Sequence, residues 1–558
     1  MLANNRKGNE SNDCFLPASI TDPILKMKIM KKLAVLVSLL IAGFVTAPFA
    51  QATPSAPYTW NVASGTSTWN TAGNWTGGIP ASSAETSLTF NSGSSTYTSN
   101  DNLGGTLILN QMNFGGSGTS AVTIGTSGSG GNLNFETDSE SDLPTIVDTS
   151  AANFTDSISA TITNSLTVTN SGGATLTLSG TLTNNGGITF SGTGAHDLTD
   201  VISLNSSNTV STTSGIALTG GVLLTGRNAQ FTGSGAFNLS GGELASNEAV
   251  GVTPFTVTNA LTISGTVQFG DSNHASVGAS SVTLDDGSTL VAGSATSTSG
   301  AYVLQTGTSG VTFSANSGVT LTNNATISGS NNVIYGGSGN ILLNAGTTNT
   351  YSGTTTVNSG VTVTLHSPNN NHVAISGSGL TINGGTVNQI AATNQIATTA
   401  SLTLENGGAY SLSGLTANTN FQTVASLTIG SGSSDITDSL TFALPTTGGT
   451  TNAFLKDTGS LTFNSTSAVI NVSGATVSGT YELLSVAGLG ASSLADFTIN
   501  PADVGYTLFA PVGGTTLDVI FAAPEPGTWA LMLGGLTLLA LVQRSRRKRN
   551  APNTSTLS

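Results

Sequence analysis

Most of the chain repeats one short pattern, in which apolar residues alternate with threonine or serine and a glycine or asparagine turn follows. Leu166-Thr167-Val168, Leu176-Thr177-Leu178 and Ile188-Thr189-Phe190 are consecutive examples. Alternation with a period of two directs the apolar side chains to one face of an extended segment and the threonines to the other. The pattern therefore predicts a long series of short, half-buried β-strands.

Strands of this length bury little surface singly, and helical periodicity is confined to the two ends of the chain. Repeated short strands become stable when each stacks on the next, as in a solenoid. Turn pairs such as Asn184-Asn185 and Asn323-Asn324 fit this arrangement, because asparagine tolerates positive φ at tight corners. We expect an all-β fold, a right-handed parallel β-helix over residues 101–521, and an array of β-sandwiches is the alternative.

The composition favours a folded chain over a disordered one. Of the 558 residues 70 are glycine, charged residues make up only 7% and hydrophobic residues 37%. Disorder normally combines low hydrophobicity with high charge, so this chain is able to form a core. The single cysteine, Cys14, precedes the export signal described below, and a mature exported chain would contain no thiol or disulfide.

The few basic residues are concentrated at the two ends of the chain. Only Arg227 and Lys456 lie between residues 53 and 523, whereas the whole chain has 27 acidic residues and a net charge of −14. An acidic body of this kind repels phosphate backbones. We therefore expect no nucleic-acid partner.

The N-terminal region contains the three parts of a secretory signal peptide in order. Two lysines follow Met30, residues 33–45 are apolar, and Ala50-Gln51-Ala52 is a small-x-small cleavage site. The apolar run is too short to cross ~30 Å of hydrocarbon as a helix. We expect signal peptidase to remove residues 30–52 by cleavage after Ala52, and residues 1–29 to be a mis-assigned start upstream of the signal.

The C-terminal region also has three parts. Pro524-Glu525-Pro526 comes first, residues 528–542 are uncharged and mostly apolar, and a basic cluster follows: Arg544, Arg546, Arg547, Lys548 and Arg549. Cations at one end of an apolar helix are typical of membrane insertion with the cations in the cytoplasm. We expect a single transmembrane helix at residues 528–542, although it is shorter than the usual ~20 residues, and a polar tail at residues 550–558. A buried core helix is the alternative.

These C-terminal parts resemble the PEP-CTERM sorting signal of Gram-negative bacteria over residues 524–549. The resemblance implies recognition by an exosortase, a membrane protease thought to cut near the Pro-Glu-Pro motif. It also implies an inner-membrane precursor whose body is delivered to the cell surface or to extracellular polysaccharide. The expected function is that of a structural or adhesive protein of the surface or extracellular matrix.

A second resemblance lies in the body of the chain. Residues 337–360, which include Asn349-Thr350-Tyr351-Ser352-Gly353, are similar to the autotransporter-associated β-strand repeat, whose family fold is a β-helix. The block that contains Trp60, Trp69 and Trp75 is similar to the segment often found ahead of such repeats. We expect residues 53–100 to form a cap with these tryptophans packed over the first turn, and the alternative is that they stack on sugars.

One acidic segment is a candidate metal site. Glu136, Asp138, Glu140 and Asp142 occupy alternate positions, so an extended backbone would project four carboxylates from one side toward a calcium ion. The spacing matches no known calcium loop, and the simpler interpretation is a solvated acidic loop.

The body lacks the sequence elements of common enzymes. Its histidines, at positions 196, 274, 366 and 372, belong to no Gly-x-Ser-x-Gly or His-Glu-x-x-His motif. Polysaccharide lyases of the β-helix family tend to use arginine or lysine, which this body almost lacks. We therefore expect no catalysis and no cofactor. A β-helix polysaccharide hydrolase or lyase is the alternative, since a hydrolase needs only two carboxyl groups brought together by the fold.

Overall fold

The structure is a computed structural model. It describes residues 56–522 and 526–549 with these gaps: 129, 193–200, 205–208, 213–214, 226–229, 233, 247–254, 258, 280, 295, 299–300, 370–371, 391–392, 414, 416–420, 431–436, 447–452, 465–467, 490–495 and 511–513. The predicted upstream extension, signal peptide (with Ala50 and Ala52) and polar tail lie outside the described residues.

Short strands from successive turns of the chain pair in parallel. Ile146, for example, lies between Met112 of the preceding turn and Val168 of the following one. Thr169 and Ser191 are hydrogen-bonded neighbours in adjacent turns and are 22 positions apart in sequence. The prediction of an all-β fold built on a parallel β-solenoid is therefore confirmed.

The strands form three sets of sheets, and each turn contributes to them in a fixed order until the first sheet ends. The first sheet has 13 strands: Ala56–Trp60, Trp75–Thr76, Thr86–Asn91, Gln111–Gly115, Thr145–Asp148, Leu166–Asn170, Ile188–Gly192, Ile216–Leu218, Phe237–Leu239, Leu261–Ile263, Ser281–Leu284, Ala301–Leu304 and Thr326–Gly329. The second sheet continues to the C-terminal end of the solenoid: Gly65–Thr68, Tyr97–Asp101, Val122–Thr126, Phe154–Asp156, Thr175–Leu178, Val201–Leu204, Val222–Thr225, Glu243–Ser246, Thr266–Phe269, Thr289–Ala292, Val311–Ala315, Val333–Gly337, Thr355–Asn358, Gly379–Asn383, Ser401–Glu405, Gln422–Val424, Ser426–Ile429, Leu455–Phe463, Gly479–Leu489, Tyr506–Phe509 and Thr516–Phe521. The third set follows as separate sheets: Thr106–Leu109, Asn132–Phe135, Ala160–Ile162, Leu182–Asn184, Thr209–Thr212 and Gln230–Thr232; then Phe255–Val257 and Val277–Ala279; then Thr296–Thr298, Thr320–Asn323, Asn340–Leu343, Thr362–Leu365, Thr386–Gln389, Ala409–Leu412, Asp438–Ala443, Ala468–Ser473 and Phe497–Ile499.

The interior is lined by stacked rows of apolar side chains. In the strand Leu166–Asn170, Leu166 and Val168 are buried and the intervening Thr167 is half exposed. The same alternation recurs from turn to turn, and one hydrophobic cluster extends from Trp60 to Val519. Burial of each such aliphatic side chain stabilises the fold by about 1.5–3 kcal/mol. Because each row stacks on the next, the core grows with every added turn.

Buried polar residues at the C-terminal ends of strands shape the corners of the solenoid. The side-chain Oδ1 atoms of Asp148, Asp156 and Asn170 each accept a hydrogen bond from the backbone N–H two residues further on, at 2.9, 3.0 and 3.2 Å. This is the hydrogen-bond pattern of an Asx turn. These side chains therefore turn the chain from one sheet into the next.

Glycine allows adjacent turns to approach closely at some corners. A Cβ atom at Gly353 would lie 2.1 Å from the backbone oxygen of Asn331 in the preceding turn, a distance that no side chain tolerates. Gly360, a few residues later, has φ +90°, a conformation that favours glycine. Both glycines fall in the segment that resembles the autotransporter-associated repeat.

Antiparallel pairs occur at both ends of the solenoid. At the N-terminal end Ala56–Trp60 pairs with Trp75–Thr76. At the C-terminal end Thr516–Phe521 pairs antiparallel with both Gly479–Leu489 and Tyr506–Phe509. Open edges of parallel sheets are templates for association with other chains, and solenoids require capping units there. The antiparallel strands at the two ends provide such caps.

A 24-residue helix, Pro526–Arg549, follows the C-terminal cap. Its apolar side chains are exposed, with Leu531 at 79% and Leu538 at 66% of full exposure. In the described part of the chain no helix is both long and apolar enough to cross a membrane. The predicted C-terminal helix is therefore present, but the prediction that residues 528–542 span a membrane was wrong. The apolar run is shorter than the ~20 residues a membrane span needs.

Candidate functional site

The outward face of the second sheet carries a row of threonines in its first turns. Parallel register stacks Thr66, Thr98, Thr123, Thr155 and Thr177 directly on one another. Paired strands in a sheet lie ~4.7–4.9 Å apart. The row, here called the first threonine row, therefore repeats a hydroxyl and a methyl group at that spacing.

A longer row occupies the same face further along the solenoid. The second threonine row contains nine stacked positions, of which Ile334 is the one interruption: Thr266, Thr289, Thr312, Ile334, Thr356, Thr381, Thr403, Thr428 and Thr462. All nine are half or fully exposed. The adjacent residues in these strands, such as Ile382 and Leu404, are buried in the core.

Between the two rows the outer face of the second sheet is buried. Val201, Val222, Leu224 and Ala245 form a small apolar cluster that is separate from the main core. Every position of the strands Val222–Thr225 and Glu243–Ser246 is buried. One acidic residue, Glu243, is therefore enclosed on this face.

Glu243 is fully buried, at 0% exposure. Its Oε2 accepts a hydrogen bond from Gln268 Nε2 at 3.1 Å, and the same nitrogen donates to the backbone oxygen of Gly270 at 2.9 Å. Burial, reinforced by repulsion from Asp271, raises the pKa of Glu243 to about 8, although the bond from Gln268 acts in the opposite direction. Glu243 is therefore mostly protonated at neutral pH.

Asp271 lies next to this cluster and closes its own turn. Its Oδ1 accepts hydrogen bonds from the backbone N–H groups of Asn273 and His274, both at 2.6 Å, and lies 3.1 Å from His274 Nδ1. A cavity of about 250 Å³ adjoins Asp271 and is also lined by Ser294 and Thr320. Glycoside hydrolysis needs an acid and a second carboxylate on either side of a bound sugar. Since Glu243 is fully buried, Glu243 and Asp271 do not present such a pair to a substrate.

The three tryptophans pack on one another at the N-terminal end. The ring centroids of Trp60 and Trp75 are 4.9 Å apart and those of Trp69 and Trp75 are 5.6 Å apart, both edge to face. Trp69 Nε1 donates to Ser99 Oγ at 2.8 Å. Exposure is 4% for Trp60, 0% for Trp69 and 4% for Trp75. The packing leaves no ring face for a sugar, and the alternative that the tryptophans stack on sugars is not supported by this geometry.

The acidic segment forms a turn, and Ser141 within it has φ 72°. Asp138 Oδ1 accepts hydrogen bonds from the backbone N–H groups of Glu140 and Asp142, at 3.1 and 2.8 Å. Glu136 Oε1 accepts from Asn134 Nδ2 at 2.6 Å. The calcium hypothesis required an extended segment, and the observed segment is a turn. Over the described residues, no group of three or more His, Cys, Asp or Glu side chains could hold a metal ion.

The remaining candidate residues are dispersed. His366 Nδ1 lies 3.0 Å from Asn344 Oδ1, and Lys456 Nζ lies 3.9 Å above the ring of Phe421. His196 lies outside the described residues, as do Pro524 and Glu525 of the sorting motif. Pro526 is the first residue of the C-terminal helix, and the basic cluster forms the last turns of the same helix: Arg544, Arg546, Arg547, Lys548 and Arg549.

The threonine rows are the surface feature that sequence reasoning missed. The alternation placed threonines on the outer face, but it did not give the register that aligns them across turns. None of the threonine hydroxyls in either row makes a hydrogen bond to another described residue. Each hydroxyl is thus available to a ligand, and each can donate one hydrogen bond and accept two.

No protein-family model, no curated protein and no solved structure matches this chain.

Proposed function

We propose that this protein is exported and acts at the cell surface or in the extracellular matrix as a structural, adhesive β-solenoid. The observation that carries the proposal is the pair of uncharged threonine rows on the outward face of the second sheet. Hydroxyl groups that are free of protein partners bind hydroxyl-rich polymers by donating and accepting hydrogen bonds. The proposed partner is therefore extracellular polysaccharide.

The architecture suits a protein that bears load outside the cell. Each turn is hydrogen-bonded to the next, and antiparallel strands pair at the N-terminal end of the first sheet, at Ala56–Trp60, and at the C-terminal end of the second, at Thr516–Phe521. A mature chain would contain no cysteine, so its stability would not depend on the redox state of its surroundings. We propose that the solenoid is right-handed.

Export and sorting are proposed to use the two ends of the chain. Signal peptidase would cleave after Ala52, and an exosortase-type membrane protease would recognise Pro524-Glu525-Pro526. The exposed apolar side chains of the adjacent helix support a role in binding other molecules, since soluble proteins seldom expose a large contiguous apolar surface. The cations Arg544, Arg546 and Arg547 at the end of that helix would favour contact with an anionic lipid surface.

The sorting step can be tested by changing the C-terminal segment in the producing bacterium. Deletion of residues 524–558 is expected to release the body from the envelope into a soluble fraction. Replacement of Pro524, Glu525 and Pro526 by alanine is expected to leave an uncut, envelope-associated chain, whereas alanine at Pro552, Asn553 and Thr554 should have no effect. Mass spectrometry of surface material would give the C-terminal residue. Mature chains that still end at Ser558 would contradict processing at the motif.

A further inference from the structure

The first threonine row begins in a groove of the second sheet. The groove has a volume of about 350 Å³ and seven residues line it: Gly65, Thr66, Thr96, Tyr97, Thr98, Ala121 and Thr123. This volume falls in the range of ~300–1,000 Å³ that is usual for ligand pockets. The groove therefore has room for a ligand at the N-terminal end of the row.

The lining of the groove is about half polar and half apolar, and it carries no charge. Thr66, Thr98 and Thr123 are consecutive members of the first threonine row, and Thr96 adds a fourth hydroxyl beside them. Gly65 and Ala121 have little or no side chain and leave the hydroxyls accessible. A ligand that matches this lining must both donate and accept hydrogen bonds and must also present apolar C–H groups to the threonine methyls.

The charge of the protein limits the class of ligand further. The chain has a net charge of −14, and between residues 53 and 523 only Arg227 and Lys456 are basic. An anionic polymer would be repelled by the body and would meet no cation in the groove. A neutral ligand meets neither obstacle.

The repeat of the row indicates a polymer. From Thr123 the row continues through Thr155 and Thr177 at the strand spacing of ~4.7–4.9 Å. A ligand with hydroxyls repeated along its length can make the same contacts with the threonines of the following turns as it makes in the groove. Linked weak contacts of this kind add up to a useful affinity.

We propose that the groove and the first threonine row form a binding site for a neutral polysaccharide chain, which enters at Thr66, Thr98 and Thr123 and runs along the row. This proposal rests on the proposed adhesive function, and it specifies the class of ligand and the place on the protein where that ligand binds. The buried tryptophan cap is not part of the site, because its ring faces are occupied by one another.

The test uses the full-length protein and measures retardation in gels that contain a polysaccharide. The neutral probes are dextran, laminarin and hydroxyethyl cellulose, and alginate is the anionic probe. The double variant Thr98→Val/Thr123→Val removes two hydroxyls while it keeps the branched shape of the side chains. Loss of two hydrogen bonds predicts roughly tenfold weaker binding to the neutral probe that the wild type binds best.

Two matched variants separate this site from a general effect. Thr167→Val/Thr189→Val makes the same change at two stacked threonines of the first sheet, which belong to neither threonine row, and should bind as the wild type does. Thr98→Ser/Thr123→Ser keeps both hydroxyls and should retain most of the binding. Equal weakening by both valine pairs would overturn the assignment to the groove and leave the adhesive function intact. Preferential binding of alginate, or no binding to any neutral probe, would overturn the neutral ligand class.

Discussion

Replacing Trp69 by alanine is expected to unfold the N-terminal end of the solenoid. Trp69 is fully buried, its ring lies 6.0 Å from that of Phe90, and its Nε1 donates to Ser99 Oγ. Removing a buried aromatic side chain of this size costs about 3–5 kcal/mol. Because turns of a solenoid contact only their neighbours, the loss should be local.

Hydrogen exchange followed by mass spectrometry would show this locality. Protection should fall sharply in the strand Thr86–Asn91, which packs next to the cap, and should be unchanged in Ser401–Glu405. Trp69→Phe keeps an aromatic ring but lacks the N–H donor, so its effect should be smaller. A uniform loss of protection along the chain would show that the tryptophans do not act as a local cap.

The stability of the turn around Asp156 is expected to fall as the pH rises. Asp156 points into the core, and its neighbours in the inward row are Ile124 and Leu178. Burial raises its pKa from 3.8 to about 7, although the hydrogen bond from the Ile158 N–H acts in the opposite direction. Between pH ~4 and ~7 the folded state therefore holds a proton that the unfolded state has released, and stability decreases with pH across this window.

Asp156→Asn removes the ionisation and keeps an acceptor for the Ile158 N–H. The penalty in the wild type reaches at most ~4 kcal/mol above pH 7. The variant should therefore gain protection against hydrogen exchange relative to wild type at pH 8, and the gain should disappear near pH 4. A difference between the two proteins that is the same at both pH values would contradict the raised pKa.

The sequence predicted the class of fold because its main signal is periodic. Apolar residues at alternate positions, as in Leu166-Thr167-Val168, specify which side chains face the core, and the absence of helical periodicity in the body excludes most other folds. The repeated turns then favour a solenoid over separate domains. These features depend only on neighbouring residues, so one sequence is enough to find them.

The register between turns could not be predicted in the same way. Thr98 and Thr123 stack because the intervening turn has a particular length, and turn lengths vary along this chain. Glu243 was missed for a related reason, because strands that alternate elsewhere are buried on both faces at this point. In the acidic segment, the hydrogen bonds of Asp138 produce a turn where alternation had indicated an extended chain. Local contacts overrode the pattern at these positions.

The C-terminal helix shows a different limit. An apolar run followed by Arg544 and its neighbours predicted a helix that spans a membrane, and a helix is present at Pro526–Arg549. Its apolar part falls short of the length and hydropathy that a span requires. The helix could therefore be predicted from the sequence. Its assignment to the membrane could not, because the apolar run is only a few residues shorter than a membrane span.

Labelling of intact cells tests the central claim, an exported solenoid at the cell surface, most directly. An epitope can be inserted between Gly346 and Thr347, which are exposed and lie between strands. Antibody is expected to label intact cells of the producing bacterium, and enzymatic removal of surface polysaccharide is expected to release the labelled protein. Labelling only after the cells are permeabilised would contradict the claim.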